Sequence, residues 1–267
     1  MGQLTFDLQA HRGGAAFAPE NTLAAFANAL EIGVSTLECD VHVTSDRVPV
    51  LSHERTYAGS LIAVRTAAEL APIDTLHDLI DLVHHQRADE VRLNVETKFD
   101  VLHPDEGAPR ERFVETVLEV LRSTGMLDRA SVQSFDWAVL RRVREAEPRI
   151  ALNALTNTDY LEVDQPGASP WLGGLDIDDF HDSVPAAVSA LGFDAISPSH
   201  TILTPAMVAE AHEAGLRVLP YTVDAADSMR RLVELGVDGM ITNRPDVLRS
   251  VLAEMDVPLP RPYPRIA

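Results

Sequence analysis

Seven ionisable side chains stand on strands or strand ends that ought to be apolar, and their types suit the chemistry of a charged ester. In STLECDV, residues 35–41, side chains alternate between faces, so Glu38 and Asp40 share one face while Leu37, Cys39 and Val41 share the other. The same alternation in LNVETK, residues 93–98, puts Glu96 and Lys98 together. A buried carboxylate is costly unless paired or metal-bound, so three inward carboxylates on two strands call for a compensating cation. Oxygen-only ligation suits a hard divalent ion, Mg²⁺ or Ca²⁺, and the single cysteine argues against a thiolate zinc site. Taken singly, each carboxylate also fits an ordinary buried network, Glu96 with Lys98 and Glu38 with an arginine. Such a network must carry surplus negative charge once both strands are considered together.

His11 directly follows the first strand, and His53 follows the short apolar run PVLS, which places both at strand ends. Histidine titrates near neutral pH, so two of them flanking a bond can give and take a proton across it. Most of the 10 histidines must be bland surface or core groups, and position singles out these two. His42 shares the face of Asp40 and is expected to hydrogen-bond a carboxylate. Arg12 offers a planar donor fork that suits either phosphate oxygens or a salt bridge to Glu20, and Lys98 adds a second positive charge. With a bound cation these groups make a local anion site, for which a phosphate ester is the natural ligand.

Positioning them requires strands that end on one face. Eight short apolar runs alternate with helix-length segments: FDLQAH, STLECDV, VRLNVET, ASVQSF, RIALNAL, DAISP, RVLPYTV and GMIT. Repeated βα units of this number in a chain of 267 residues predict an α/β protein, a (β/α)8 TIM barrel forming one domain over residues 1–267. Helix starts are marked by Asn21 or Thr22, by Asp136, and by Thr204 with Pro205. Residues 99–110 and 157–182 exceed what barrel connections need and should lie on the C-terminal face; the second reads as a packed surface loop or a lid with a glycine hinge. The tail, residues 256–267, has proline at 258, 260, 262 and 264 and should run extended over the barrel exterior.

The charge balance of 22 Lys+Arg against 41 Asp+Glu gives −19, a field that repels nucleic acid and anionic membranes. No apolar run approaches a membrane span, and the first residues show neither a signal-peptide pattern nor a myristoylation signal, so neither nucleic acid nor stable membrane insertion is expected. One cysteine excludes an internal disulfide, and a cytoplasmic location is the expectation. Composition sets no oligomeric state.

The stretches AHRG at 10–13, PENT at 19–22, ECDV followed by Thr44 and Asp46, PVLSH at 49–53 and NVETK at 94–98 resemble the glycerophosphodiester phosphodiesterase family, a phospholipase C-like phosphodiesterase barrel. VQSF at 132–135, PYTVD at 220–224 and ITNRPD at 241–246 are similar to it in the same order, so the resemblance covers nearly the whole chain. It implies metal-dependent hydrolysis of small-molecule glycerophosphodiesters to an alcohol and glycerol 3-phosphate. It also implies roles: Glu38, Asp40 and Glu96 for one divalent cation, His11 and His53 for general acid and base, Arg12 and Lys98 for phosphate. Glu20 and Asn21 would brace the first loop or reach substrate, and the implied course passes through a cyclic phosphate. Two positions depart from the family pattern: Glu54 follows His53 where Asp is usual, and Tyr221 stands at a substrate-pocket position where Trp is common. The short segment between His53 and Thr75 implies a small cap and an open pocket. A phospholipase D-like lyase acting on lysophospholipids and a non-catalytic phosphodiester-binding barrel are the alternatives; the intact histidines and carboxylates speak against the second.

Overall fold

A computed structural model describes residues 6–165 and 167–266 of the chain. Residues 1–5 of the stretch read for a leader or acyl signal, residue 166 of the long loop and the last residue of the tail lie outside that description. The strands are β1 (Asp7–Ala10), β2 (Thr36–Val43), β3 (Pro49–Leu51), β4 (Thr56–Tyr57), β5 (Ser60–Leu61), β6 (Arg92–Thr97), β7 (Ala130–Ser134), β8 (Ala151–Thr156), β9 (Ala195–Pro198), β10 (Arg217–Val218) and β11 (Gly239–Thr242). The helices are α1 (Leu23–Ile32), α2 (Leu76–His85), α3 (Arg110–Ser123), α4 (Trp137–Ala146), α5 (Thr158–Leu161), α6 (Val184–Ala190), α7 (Pro205–Glu213), α8 (Ala226–Leu235) and α9 (Pro245–Glu254).

Eight strands run parallel in the order β10-β9-β8-β7-β6-β2-β1-β11. Backbone bonds from Asp238 N to Val218 O, Ile241 N to Pro220 O and Val223 N to Ile241 O, each 3.0 Å, draw β10 and β11 together, so the sheet rolls into a nearly closed barrel. These are the eight strands read from the sequence. Their boundaries are legible because buried parallel strands are continuous Val/Ile/Leu runs punctuated by helix caps. Thr22, Asp136 and Thr204 accept bonds from Ala25 N, Ala138 N and Met207 N, as helix N-caps should. Strand β3 is additional to these eight. It pairs antiparallel with the far end of β2, Val41 opposite Leu51, and so folds the chain back over the barrel mouth with His53 just beyond it.

The barrel wall separates two chemistries. Outward side chains such as Leu37, Cys39, Val41, Leu93, Val95 and Val132 are fully buried against the helices. Inward positions instead hold Gln9, Asn94, Gln133, Asn153 and the carboxylates, all buried. Asn94 Nδ2 donates to Gln9 Oε1 (2.9 Å) and Gln133 Oε1 (2.7 Å), while Asn94 Oδ1 accepts from Ser131 Oγ (2.9 Å) and Asn153 Nδ2 (3.1 Å). This amide floor is closed on itself and directs its outer donors at carboxylates: Gln9 Nε2 to Asp7 (3.1 Å) and Gln133 Nε2 to Glu38 (2.9 Å).

Residues 157–182 form a packed loop. Ser169 Oγ donates to Tyr160 O (2.7 Å), Trp137 N donates to Trp171 O (2.8 Å), and the Trp171 ring stacks on Tyr160 at 4.2 Å. Gly173, at φ +66°, lies so close to Ala138 N that a Cβ would sit 3.0 Å from it. The proline tail crosses the outside of α1, with Tyr263 buried and its N–H bonded to Leu30 O. Among the described residues, no helix is long and apolar enough to cross a membrane.

Candidate active site

The site begins with a turn that only its sequence permits. After β1 the chain passes through left-handed φ at Arg12 (+52°), Gly13 (+82°) and Gly14 (+85°). A Cβ on Gly13 would lie 2.8 Å from Ala25 Cβ and 2.9 Å from Ala25 C, so both conformation and contact demand glycine there. The turn aims the Arg12 backbone N–H at Glu38 Oε2, 2.9 Å away. Asn21, also at positive φ (+57°), clasps Asp40 from the PENT loop: its Nδ2 donates to Asp40 Oδ2 (2.8 Å) and its Oδ1 accepts Asp40 N–H (3.1 Å). Asn21 thus braces the first loop rather than pointing into open space.

Parallel register sets Asp40 directly opposite Glu96, and the alternation on β2 brings Glu38 to the same face. One carboxylate oxygen from each of Glu38, Asp40 and Glu96 lies within 4.8 Å of the others, and all three residues are buried. Lys98 Nζ donates to Glu96 Oε1 at 2.7 Å and stands 3.7 Å from Asp40 Oδ1. The Arg12 guanidinium pairs with Asp40 (Nε to Oδ2, 2.9 Å) and with Glu20 (Nη1 to Oε2, 2.8 Å). The Nε contact is an ion pair and not an aligned hydrogen bond. So the Glu20 bridge, one of the two readings of Arg12, is formed.

Burial, together with the neighbouring Asp40 and Glu96 charges, pushes the Glu38 carboxyl well above its usual range. Burial also raises Glu96, with Lys98 opposing. For Asp40 burial works against ionisation, yet Lys98 and Arg12 outweigh it and hold the group below the ordinary value. Three carboxylates face two cations here, and Asp40 Oδ1 is buried with no hydrogen-bond donor. A lone acceptor in an oxygen-only, net-negative cluster fits a hard divalent cation.

The two histidines are held differently. His11 Nδ1 lies 2.7 Å from Asn243 Oδ1; Asn243 Nδ2 in turn donates to Asp224 Oδ2 at 2.8 Å. Burial and the Arg12 charge lower the His11 pKa, which favours a neutral imidazole. His53 is partly exposed, and its Nδ1 meets Glu54 Oε1 at 2.8 Å. That bond to His53 holds the Glu54 carboxyl below its usual value. His42 does not bond a carboxylate, contrary to the expectation from sequence. Its Nε2 lies 3.3 Å from the backbone carbonyl of His53, because β3 folds that peptide across the end of β2; burial lowers its pKa to about 4.

A cavity of about 590 Å³ opens beside these groups, lined by His53, Glu96 and Lys98 at its base and by Phe99, Phe135, Tyr160 and Trp171 on its wall. Its volume suits a small organic ester. Tyr221 packs edge-on against Phe135 at 5.7 Å and donates its hydroxyl to Thr156 O at 3.0 Å, behind that wall.

Residues 11–247 match the glycerophosphoryl diester phosphodiesterase family, a span of nearly the whole chain. The chain belongs to that family. A glycerophosphodiester phosphodiesterase from Caldanaerobacter subterraneus subsp. tengcongensis is 26% identical over 91% of this chain and 96% of its own length. A family protein of known structure from Silicibacter pomeroyi superposes with a TM-score of 0.81 at 30% identity, covering 96% of this chain and 95% of the other. An Oleispira antarctica phosphodiesterase, solved with the product sn-glycerol-3-phosphate, shares the fold at TM-score 0.74 and 21% identity, over 92% and 96% of the two chains. The chain is therefore an enzyme, a phosphoric diester hydrolase of this family. For this glycerophosphoryl diester phosphodiesterase family member, the longer Glu54 still reaches Nδ1 of the histidine before it, and Tyr221 keeps an aromatic ring against the cavity wall.

Four groups of the site are not singled out by their sequence context: Gln133, Asn94, Asn243 and Asp224. Even so, the signal for the first two was present, since carboxamides at inward strand positions are as anomalous as carboxylates. Asn243 and Asp224 lie on different loops, 19 residues apart, and nothing local announces that they meet.

Proposed function

We propose that this enzyme hydrolyses glycerophosphodiesters to an alcohol and glycerol 3-phosphate, with one divalent cation, Mg²⁺ or Ca²⁺, held by Glu38, Asp40 and Glu96. The observation that carries the reading is the convergence of three buried carboxylates, one oxygen of which has no hydrogen-bond donor, with only Lys98 and Arg12 paired against them. A cation held there would supply charge stabilisation for the developing oxyanions and would make the substrate's hydroxyl easier to deprotonate.

The chain's own residues do the rest. Lys98 and the Arg12 guanidinium bind the phosphate oxygens, and Glu20 holds that guanidinium in place. His11, neutral, takes the proton of the glycerol 2-hydroxyl as its oxygen attacks phosphorus. The bond from phosphorus to the departing alcohol breaks, and His53, oriented by Glu54, donates a proton to the leaving oxygen. Water then opens the cyclic phosphate with the roles reversed, His53 accepting and His11 donating. The Oleispira antarctica complex with sn-glycerol-3-phosphate supports the product assignment by likeness of fold.

Phosphorus NMR of glycerophosphocholine, glycerophosphoethanolamine and glycerophosphoglycerol digests, with Mg²⁺, Ca²⁺ or EDTA, tests the reading. Glycerol 3-phosphate should accumulate with metal and not with EDTA. A cyclic phosphate that persists would make the enzyme a lyase, and metal-supported binding without any cleavage would make it a binding barrel.

A further inference from the structure

Asp224 makes three bonds, all as acceptor. Its Oδ1 takes the Asn243 backbone N–H (2.8 Å) and the Thr242 hydroxyl (3.1 Å), and its Oδ2 takes Asn243 Nδ2 (2.8 Å). A carboxylate cannot donate, so the amide nitrogen of Asn243 must be the atom turned toward Asp224. That leaves Asn243 Oδ1, also acceptor only, facing His11 Nδ1 at 2.7 Å. The only bond this pair can make is Nδ1–H to oxygen.

We infer that Asp224 and Asn243 are positioning residues that fix His11 as the Nδ1–H tautomer and so leave the Nε2 lone pair as its one proton acceptor. The inference rests on the proposed role of His11 but concerns a different property, which of its two nitrogens bears the proton. The relay is asymmetric. Asp224 is exposed and hydrogen-bonds Thr242 and Asn243 rather than the imidazole, yet its acceptor-only chemistry passes inward through one amide. His53, by contrast, meets a carboxylate directly and needs no intermediary.

The consequences of substitution follow from donor and acceptor arithmetic. In Asp224→Asn the oxygen of the new amide stays with its two donors, the Asn243 N–H and the Thr242 hydroxyl. Its nitrogen then faces Asn243 and must donate, so the Asn243 amide rotates and turns its own nitrogen toward His11. Nδ1 is now required as an acceptor, and the imidazole proton moves to Nε2. The paired exchange Asp224→Asn with Asn243→Asp restores the original pattern. The amide introduced at position 224 donates to the carboxylate introduced at position 243, and that carboxylate accepts from Nδ1–H.

The test is imidazole ¹⁵N NMR on the full-length, metal-free protein, alongside steady-state kinetics on glycerophosphocholine. The unsubstituted protein should show His11 protonated at Nδ1. Asp224→Asn should show it protonated at Nε2, with kcat down by about a hundredfold or more, the scale of a lost general base in the wrong tautomer, and KM little changed. The paired exchange should return both the tautomer and most of kcat, which a merely structural role for Asp224 would not do. An Nε2–H imidazole in the unsubstituted protein, or an unmoved proton in Asp224→Asn, overturns the relay. An inverted tautomer with undiminished kcat leaves the relay standing and instead removes His11 from the chemistry proposed above.

Discussion

Two levels of the same barrel interior are both polar and both buried, yet they have opposite characters. The lower one, Gln9, Asn94, Gln133 and Asn153, is neutral and hydrogen-bonded to itself, with Asn94 engaged at both ends of its amide. The upper one, Glu38, Asp40 and Glu96, carries surplus charge and leaves Asp40 Oδ1 without a donor. Burial of polar groups is therefore not itself the mark of a site. A closed network is structure, and an open one with unbalanced charge is built to receive a ligand. The two levels touch through the single bond from Gln133 Nε2 to Glu38, which fixes one carboxylate oxygen while leaving the cluster's charge unchanged.

The contrast can be broken from either side. At the mouth of the upper level, His11→Ala and His53→Ala should each lower kcat by roughly 10²–10⁴-fold with the melting temperature almost unchanged, read by steady-state kinetics and calorimetry together. Near-normal turnover in either variant would remove that imidazole from the acid–base pair. Asn94→Leu should do the reverse. It orphans buried partners on Gln9 and Gln133 at about 1–3 kcal/mol each, so calorimetry should find the protein destabilised by roughly 3 kcal/mol even where the carboxylates are untouched. A stability loss below about 0.5 kcal/mol would show the floor to be incidental.

Adding Mg²⁺ or Ca²⁺ sharpens the difference further. At a hundredfold excess over Kd the metal should stabilise the protein by about 2.7 kcal/mol, an increment absent in Glu96→Gln; equal thermal shifts in both would place the cation elsewhere. The smallest effect belongs to the rim. Glu20 is exposed, so Glu20→Gln should change global stability by less than about 1 kcal/mol while raising KM for the diester as the Arg12 guanidinium loses its support.

How far the sequence revealed this depends on the kind of signal. The strands were legible because a barrel strand is apolar on its outer face, and Glu38, Asp40 and Glu96 stood out against that background through a period of two. For Arg12 and Lys98 the pairings with Glu20 and Glu96 were legible as well, and both are formed, whereas the Asn21 clasp on Asp40 was not, since it depends on a left-handed turn. His42 was misjudged because PVL was read as a run and not as a strand. Once β3 pairs back along β2, a peptide carbonyl occupies the place where a carboxylate was expected. Asp224 and Asn243 were illegible for a deeper reason: their meaning lies in a chain of bonds between loops, and no periodicity encodes it.

The left-handed turn after β1 also divides the duties of one residue. Glu38 is met by the peptide N–H of Arg12 and not by its guanidinium, so that contact depends on main-chain path, while Gln133 Nε2 holds the other carboxylate oxygen. The guanidinium, by contrast, meets Asp40 and Glu20, so an exchange of the Arg12 side chain keeps the peptide contact to Glu38 while altering the charge beside Asp40. Gly13, which makes no contact with substrate in this reading, has no such latitude, and the most restrictive position in the loop is the one with no functional group at all.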